Sequence, residues 1–279
     1  MSSAPNTWRL VRTPPLAGAL NMAIDEAILN AIAAGAAPPT LRFFAWDPPT
    51  LSLGYGQPIA DVDPARLATR GWGLVRRPTG GRAILHTDEL TYSVAAPMDE
   101  PRVVGSVVES YRRLSAGLLA GLQRLGLQAR ADRKDPTQTV RGPDGAPVMN
   151  PVCFEVPSDY EITADGRKLL GSAQVRKRGV VLQHGTLPLD GDITRILDGL
   201  AYPDAERETL RGRVRSRAAT LADIGLSATW SEAAEALTQG FAEALGLTFV
   251  EGELSPAERA DAERQVVEKY GDPGWTGRV

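Results

Sequence analysis

Tyr160-Glu161-Ile162-Thr163 leads into a turn at Asp165-Gly166; the chain resumes as Lys168 to Val175, turns again near Gly179 and returns as Val180 to Leu189. Short runs of this kind, bounded by Gly and Asp, predict a β-meander. Further strand text precedes it at Leu41 to Trp46, Leu51 to Tyr55, Trp72 to Arg76 and Leu90 to Val94, each closed by Pro, Gly or Asp. Leu20, Ile24, Ile28 and Ala31 predict an amphipathic helix stopped by Gly35 and Pro38-Pro39. Val103, Val107, Tyr111, Leu114, Leu118, Leu122 and Leu125 form a second helical stripe, which ends at Gly126. Between Asp132 and Val152 the text is polar and rich in Pro and Gly, and reads as a long surface loop. Downstream, Asp192 caps a short helix through Leu200, Thr229 with Glu232 and Ser255 with Glu258 are capping boxes, and Leu247 to Val250 reads as a strand. Strands interspersed with helices predict a mixed α/β (α+β) architecture rather than a regular βαβ repeat. A single domain over 1–279 is expected, with the packing of the strand and helix in 247–279 left open.

The chain has 279 residues, of which 43% are hydrophobic and 23% charged, so it can bury a full core. A formal net charge of -3 argues against a protein that coats nucleic acid, which needs a strongly basic domain. The single cysteine, Cys153, excludes an internal disulfide and suits a reducing compartment. No apolar stretch approaches the ~20 residues of a membrane span and no secretory signal is legible, so a cytoplasmic location off the membrane is expected.

Four segments can carry chemistry. Arg76-Arg77-Pro78-Thr79-Gly80-Gly81-Arg82 runs off a strand with His86 just beyond; paired glycines let backbone amides approach a ligand, and the arginines can hold an anionic group. The Gly-Lys-Ser/Thr ending of a phosphate-binding P-loop is missing, and taken alone the segment also fits plain hairpin geometry. Cys153 sits at the exit of the long loop between Pro151 and Pro157, a position that suits a nucleophile better than a core slot, although a lone cysteine is often a small buried hydrophobe. In Gly166-Arg167-Lys168-Leu169-Leu170-Gly171-Ser172-Ala173-Gln174 a hairpin lysine would ordinarily point into water. Turned inward, Lys168 would lower the pKa of a nearby thiol, and the small residues Gly171, Ser172 and Ala173 suggest that something passes close to the strand. Gln183-His184-Gly185-Thr186-Leu187 holds the second histidine. No paired Cys or His spacing supports a metal site.

The order and wording of these segments, Arg76-Arg77-Pro78-Thr79-Gly80-Gly81-Arg82-Ala83 with His86, Cys153-Phe154-Glu155 with Pro157-Ser158, Gly166-Arg167-Lys168 with Gly171-Ser172-Ala173-Gln174, and Gln183-His184-Gly185-Thr186, resemble the lipoate-protein ligase and octanoyltransferase superfamily, and within it the LipM-type octanoyltransferases. The likeness runs from about Trp8 to beyond Leu189. It implies a biotin/lipoate-protein-ligase-like catalytic domain: a mixed, largely antiparallel central sheet flanked by helices, with an acyl-chain tunnel beside the Gly-Gly loop. The implied reaction moves an octanoyl group from octanoyl-acyl carrier protein to a lysine of a lipoyl domain, such as the glycine-cleavage H protein, without a cofactor. In that family a loop cysteine carries the acyl thioester and the Gly-Arg-Lys lysine assists; Cys153 and Lys168 occupy those positions. Arg76, Arg77, Thr79, Gly80, Gly81, His86, Gly171, Ser172, Ala173, His184 and Gly185 are the expected substrate-binding residues.

Thioester exchange is nearly isoenergetic and aminolysis runs downhill, so the cysteine route needs no ATP. The chief rival is an ATP-dependent lipoate-protein ligase, which would use ATP and Mg and has no need of a nucleophilic cysteine. An amidotransferase between lipoyl domains, a Cys/His hydrolase using His86 or His184, and a non-catalytic binder of lipoyl domains each fit part of the same pattern. Two arginine-rich stretches, Arg70 to Arg82 and Arg167 to Arg178, are expected to steer an anionic carrier protein.

Overall fold

The computed structural model describes residues 6–132 and 161–279. The chain opens with β1 (Thr7–Arg12), α1 (Gly18–Ala33), β2 (Thr40–Phe44), β3 (Thr50–Leu53), α2 (Pro64–Arg70), β4 (Gly73–Arg76), β5 (Ile84–His86) and β6 (Glu89–Pro97), then α3 (Val107–Arg124) and β7 (Arg130–Asp132). The later described residues form β8 (Glu161–Ala164), β9 (Arg167–Lys177), β10 (Val180–Pro188), α4 (Asp204–Arg217), α5 (Trp230–Leu245), β11 (Thr248–Glu251), α6 (Pro256–Gln265) and α7 (Pro273–Thr276).

Among the described residues an eight-stranded sheet runs β11-β1-β2-β6-β10-β9-β8-β7, and a three-stranded sheet runs β4-β3-β5. In the large sheet β1 is parallel to β11 and β2, and all other neighbours are antiparallel, as a meander with short returns requires. The predicted meander is β8-β9-β10. Its turns carry positive φ at both central residues, Asp165 with Gly166 and Arg178 with Gly179, the backbone twist that two-residue hairpins favour. The loop expected over Asp132 to Val152 lies, beyond Asp132, outside the described residues, as does Tyr160.

The large sheet buries both faces. Leu41, Phe43, Tyr92 and Val94 project against Leu114, Leu118 and Leu122 of α3 and Leu237 and Phe241 of α5. The two helices cross closely: a Cβ on Gly240 would lie 2.2 Å from Gly121 N. On the other face Phe44, Ala95 and Leu182 meet Ile24 and Ile28 of α1, with Ala262 and Tyr270 from the C-terminal helices behind. The small sheet has its own core, where Leu51, Leu53 and Ile84 pack on Ile196, Leu197, Leu210 and Val214.

Both expected capping boxes are formed, at Thr229 and Ser255, and a third is formed at Ser106. Helix α4 carries Arg207, Arg211, Arg213, Arg215 and Arg217 and turns Leu210 and Val214 inward. The C-terminal segment is not loose: β11 extends the sheet beside β1 and α6 packs on α1. No helix among the described residues is long and apolar enough to cross a membrane.

Candidate active site

Between the two sheets and α1 lies a cavity of about 440 Å3. Arg77, Gly81 and His86 line it from the small-sheet side, and Gly171, Ser172, Ala173, His184 and Gly185 line it from β9 and β10. The β9-β10 hairpin sets His184 beside Ala173 and Gly185 beside Ser172, and Thr79 Oγ1 joins the Gly-Gly segment to His184 Nε2, 105 residues away. Gly185 has no room for a side chain: a Cβ would lie 2.5 Å from Gly171 O and 2.6 Å from Ser172 Oγ. The Gly-Gly loop is seated as closely, since a Cβ on Gly54 would lie 2.0 Å from Gly81 O.

Two buried polar chains hold the walls. In the first, Arg77 Nη1 donates to Ser52 Oγ (2.9 Å), Ser52 Oγ meets His86 Nε2 (2.7 Å) and His86 Nδ1 meets Glu89 Oε1 (2.6 Å). Ser52, itself tied to Arg77, and Glu89 thus hold the two ring nitrogens of His86. Trp46 stacks on the His86 ring at 3.9 Å and donates to Thr91 Oγ1, which donates to the same Glu89 oxygen. Arg77 Nη2 donates to Gly80 O and Arg82 O, both at 2.8 Å, so the chain ends on the Gly-Gly loop.

In the second chain Thr79 Oγ1 meets His184 Nε2 at 2.6 Å, and His184 Nδ1 faces Asp25 Oδ2 at 3.3 Å. Asp25 Oδ1 accepts from Arg42 Nη1 and Ser93 Oγ, both at 2.8 Å. Burial pushes the Asp25 carboxyl up, but the Arg42 guanidinium and His184 together hold it below the ordinary value. Burial pulls His184 down and outweighs its pairing with Asp25, so the imidazole is neutral at pH 7. Both nitrogens of each histidine are engaged within the wall.

Lys168 is 3% exposed, so its side chain is turned inward rather than into water, and its Nζ donates to Glu161 Oε1 at 2.6 Å. It is not a cavity-lining residue; it lies three positions along β9 from Gly171. Cys153 lies outside the described residues. Of the other expected binding residues, neither Thr79, which is buried, nor Gly80, which is exposed, lines the cavity, and nor does Arg76. Arg76 donates to Gly54 O, Gln57 O and Thr276 O at 2.6 to 2.9 Å, clasping the loop after β3 to the C-terminal segment.

In the two arginine-rich stretches Arg76, Arg77 and Lys168 are buried, whereas Arg82, Arg167, Arg176 and Lys177 are half-buried and Arg70 and Arg178 exposed. Arg70 pairs with Asp198, Arg176 donates to Gly105 O and Ser110 Oγ, Lys177 pairs with Glu26 and Arg178 donates to Asn30. Residues that sequence reasoning misses complete the cavity: Met22 from α1, Trp46, Gln57 and Thr91, with Thr186 beside the histidine already singled out. Thr186 occurs within a motif of interest, whereas Met22 and Trp46 carry only core-type signals. Among the described residues no three His, Cys, Asp or Glu side chains converge as metal ligands.

The family profile of the lipoyl protein ligase A/B catalytic domain matches residues 17–242. Octanoyltransferase LipM of Kyrpidia tusciae is 46% identical over 277 residues, covering 98% of this chain and 99% of the relative. The enzyme of the same name from Symbiobacterium thermophilum is 44% identical, covering 97% and 98%. In fold the chain is similar to a bipartite lipoate protein ligase from Thermoplasma acidophilum, studied with its E2 lipoyl domain (TM-score 0.81, 24% identity, 98% and 97% covered). It is also similar to lipoate-protein ligase A bound with ATP (TM-score 0.78, 24% identity, 98% and 100% covered). With the Gly-Gly loop, the Gly-Ser-Ala segment of β9 and the His-Gly strand gathered at one cavity, and near full-length likeness to these transferases, the chain belongs to the lipoyl protein ligase A/B catalytic domain family, alongside the LipM octanoyltransferases.

Proposed function

We propose that this acyltransferase takes octanoyl from octanoyl-acyl carrier protein and delivers it to a lysine of a lipoyl domain of the glycine-cleavage H protein type, through a thioester on Cys153. The observation that carries the reading is the cavity, bounded by the close-packed β9-β10 wall three residues from an inward-turned Lys168. Its volume falls in the range of small-molecule sites, and burial of an eight-carbon chain at about 0.8 kcal/mol per methylene anchors the donor by several kcal/mol. Lys168, held by Glu161, supplies a positive charge that favours thiolate over thiol. The thiolate attacks the acyl carbon and the carrier leaves as its own thiolate; the acceptor amine then attacks the new thioester and releases Cys153. ATP and Mg have no role in this route.

The test is intact-mass analysis after mixing the purified protein with octanoyl-acyl carrier protein in the absence of ATP. An added octanoyl group, absent in Cys153→Ser, is the expected result. Adenylate formation from free lipoate and ATP, with no adduct on the wild type, would identify a ligase instead.

A further inference from the structure

Among the described residues, one hydroxyl in the cavity wall has no hydrogen-bond partner. Thr186 on β10 is 1% exposed, and its Oγ1 has no hydrogen-bond partner among the described residues. Its neighbours are satisfied. Thr91, directly across on β6, accepts from Trp46 and donates to Glu89; His184, next on the same face of β10, bonds to Thr79 and Asp25; Ser172 Oγ meets Tyr92 Oη at 2.7 Å. Valine fills the same space as threonine and leaves no polar atom unpaired, so an orphaned hydroxyl in an enclosed wall points to a polar atom of what the cavity holds.

Register says which part of an acyl thioester that is. Along β10, His184 pairs with Ala173, Gly185 with Ser172 and Thr186 with Gly171, so Thr186 is the cavity-lining residue of this strand nearest Lys168 in register. Gly171 and Lys168 are separated by about 10 Å of strand, within range of the lysine side chain and a bound thioester. An octanoyl tail offers no hydrogen-bond acceptor; its carbonyl oxygen does.

Resting on the octanoyl-transfer reading above, we propose that Thr186 Oγ–H donates to the carbonyl oxygen of the bound acyl group and stabilises the oxyanion formed during transfer. When the nucleophile's electron pair forms a bond to the acyl carbon, the C=O π pair moves onto oxygen, and that oxygen accepts the Thr186 hydrogen bond more strongly than the carbonyl did. As the intermediate collapses the pair returns to re-form C=O, the old C–S bond breaks, and its electrons leave with the departing thiolate. Thr186 keeps its proton throughout, and the same donor serves both half-reactions.

Thr186→Val and Thr186→Ser are to be compared with wild type for octanoyl transfer from octanoyl-acyl carrier protein to a lipoyl-domain lysine, alongside thermal melts. Thr186→Val is expected to melt no lower than wild type, since its hydroxyl has no partner to lose, while kcat falls roughly 10- to 100-fold with little change in KM and Thr186→Ser keeps most of the rate. The infrared carbonyl band of bound [1-13C]octanoyl-pantetheine is expected at lower frequency in wild type than in Thr186→Val. An unchanged kcat and an unshifted band in a folded Thr186→Val overturn the assignment. Should the valine variant not fold, Thr186→Ala is read the same way. A wild type that transfers no octanoyl at all defeats the functional reading itself, and this inference with it.

Discussion

Glu26 offers a quantitative check on the wiring behind the site. It is 4% exposed on α1, next to Asp25, and it ties the C-terminal segment to the core. Lys177 Nζ lies 2.5 Å from Oε1, while Oε2 accepts from Lys269 and from Tyr270 Oη. Burial pushes the carboxyl up, but bonds to Lys177, Lys269 and Tyr270 outweigh it and bring the pKa from 4.5 to about 2. A carboxylate with a depressed folded pKa adds stability that is complete above 4.5 and is lost as pH falls from 4.5 toward 2. At about 1.4 kcal/mol per pH unit the contribution is about 3 kcal/mol. Glu26→Gln mimics the protonated side chain, so urea unfolding should find it about 3 kcal/mol less stable than wild type at pH 7, with the gap closing between pH 4.5 and pH 2. A gap that is the same at pH 7 and pH 3, or below about 1 kcal/mol at pH 7, would refute the reasoning.

Two further outcomes follow from the packing around the cavity. Gly185→Ala forces a methyl group to 2.5 Å from Gly171 O and 2.7 Å from Tyr92, so β9 must move; about 1–3 kcal/mol of stability should be lost in chemical unfolding, and octanoyl transfer should fall at least tenfold. Lys168→Ala removes the buried ammonium, and the pH profile of Cys153 acylation should become slower and shift to more alkaline values; a profile identical to wild type removes its role.

The meander, the helical stripe of α1, that of α3 from Tyr111 onward (Val103 precedes the helix and Val107 is exposed) and two of the capping boxes are legible in the sequence because each is a local pattern: alternation, a 3.6-residue period, or a side chain placed three residues from its partner. The strands β1, β5 and β7 are not read from the sequence, and β1 becomes a strand through parallel pairing with β2 and with β11 near the other end of the chain. The Arg76-Arg77 pair shows the limit most clearly. Its type and spacing suggest anion binding, yet the first guanidinium clasps Thr276, two hundred residues away, and only the second reaches the cavity.

By itself, then, the sequence determined the kind of architecture, the family and the set of segments that meet, since those depend on which residues stand near one another along the chain. Which side chains face the cavity was decided only by the tertiary structure. A buried polar atom must find a partner wherever the fold supplies one: Lys168 finds Glu161 across a hairpin and His184 finds Asp25 on a helix packed over the sheet, while Thr186 finds none among the described residues.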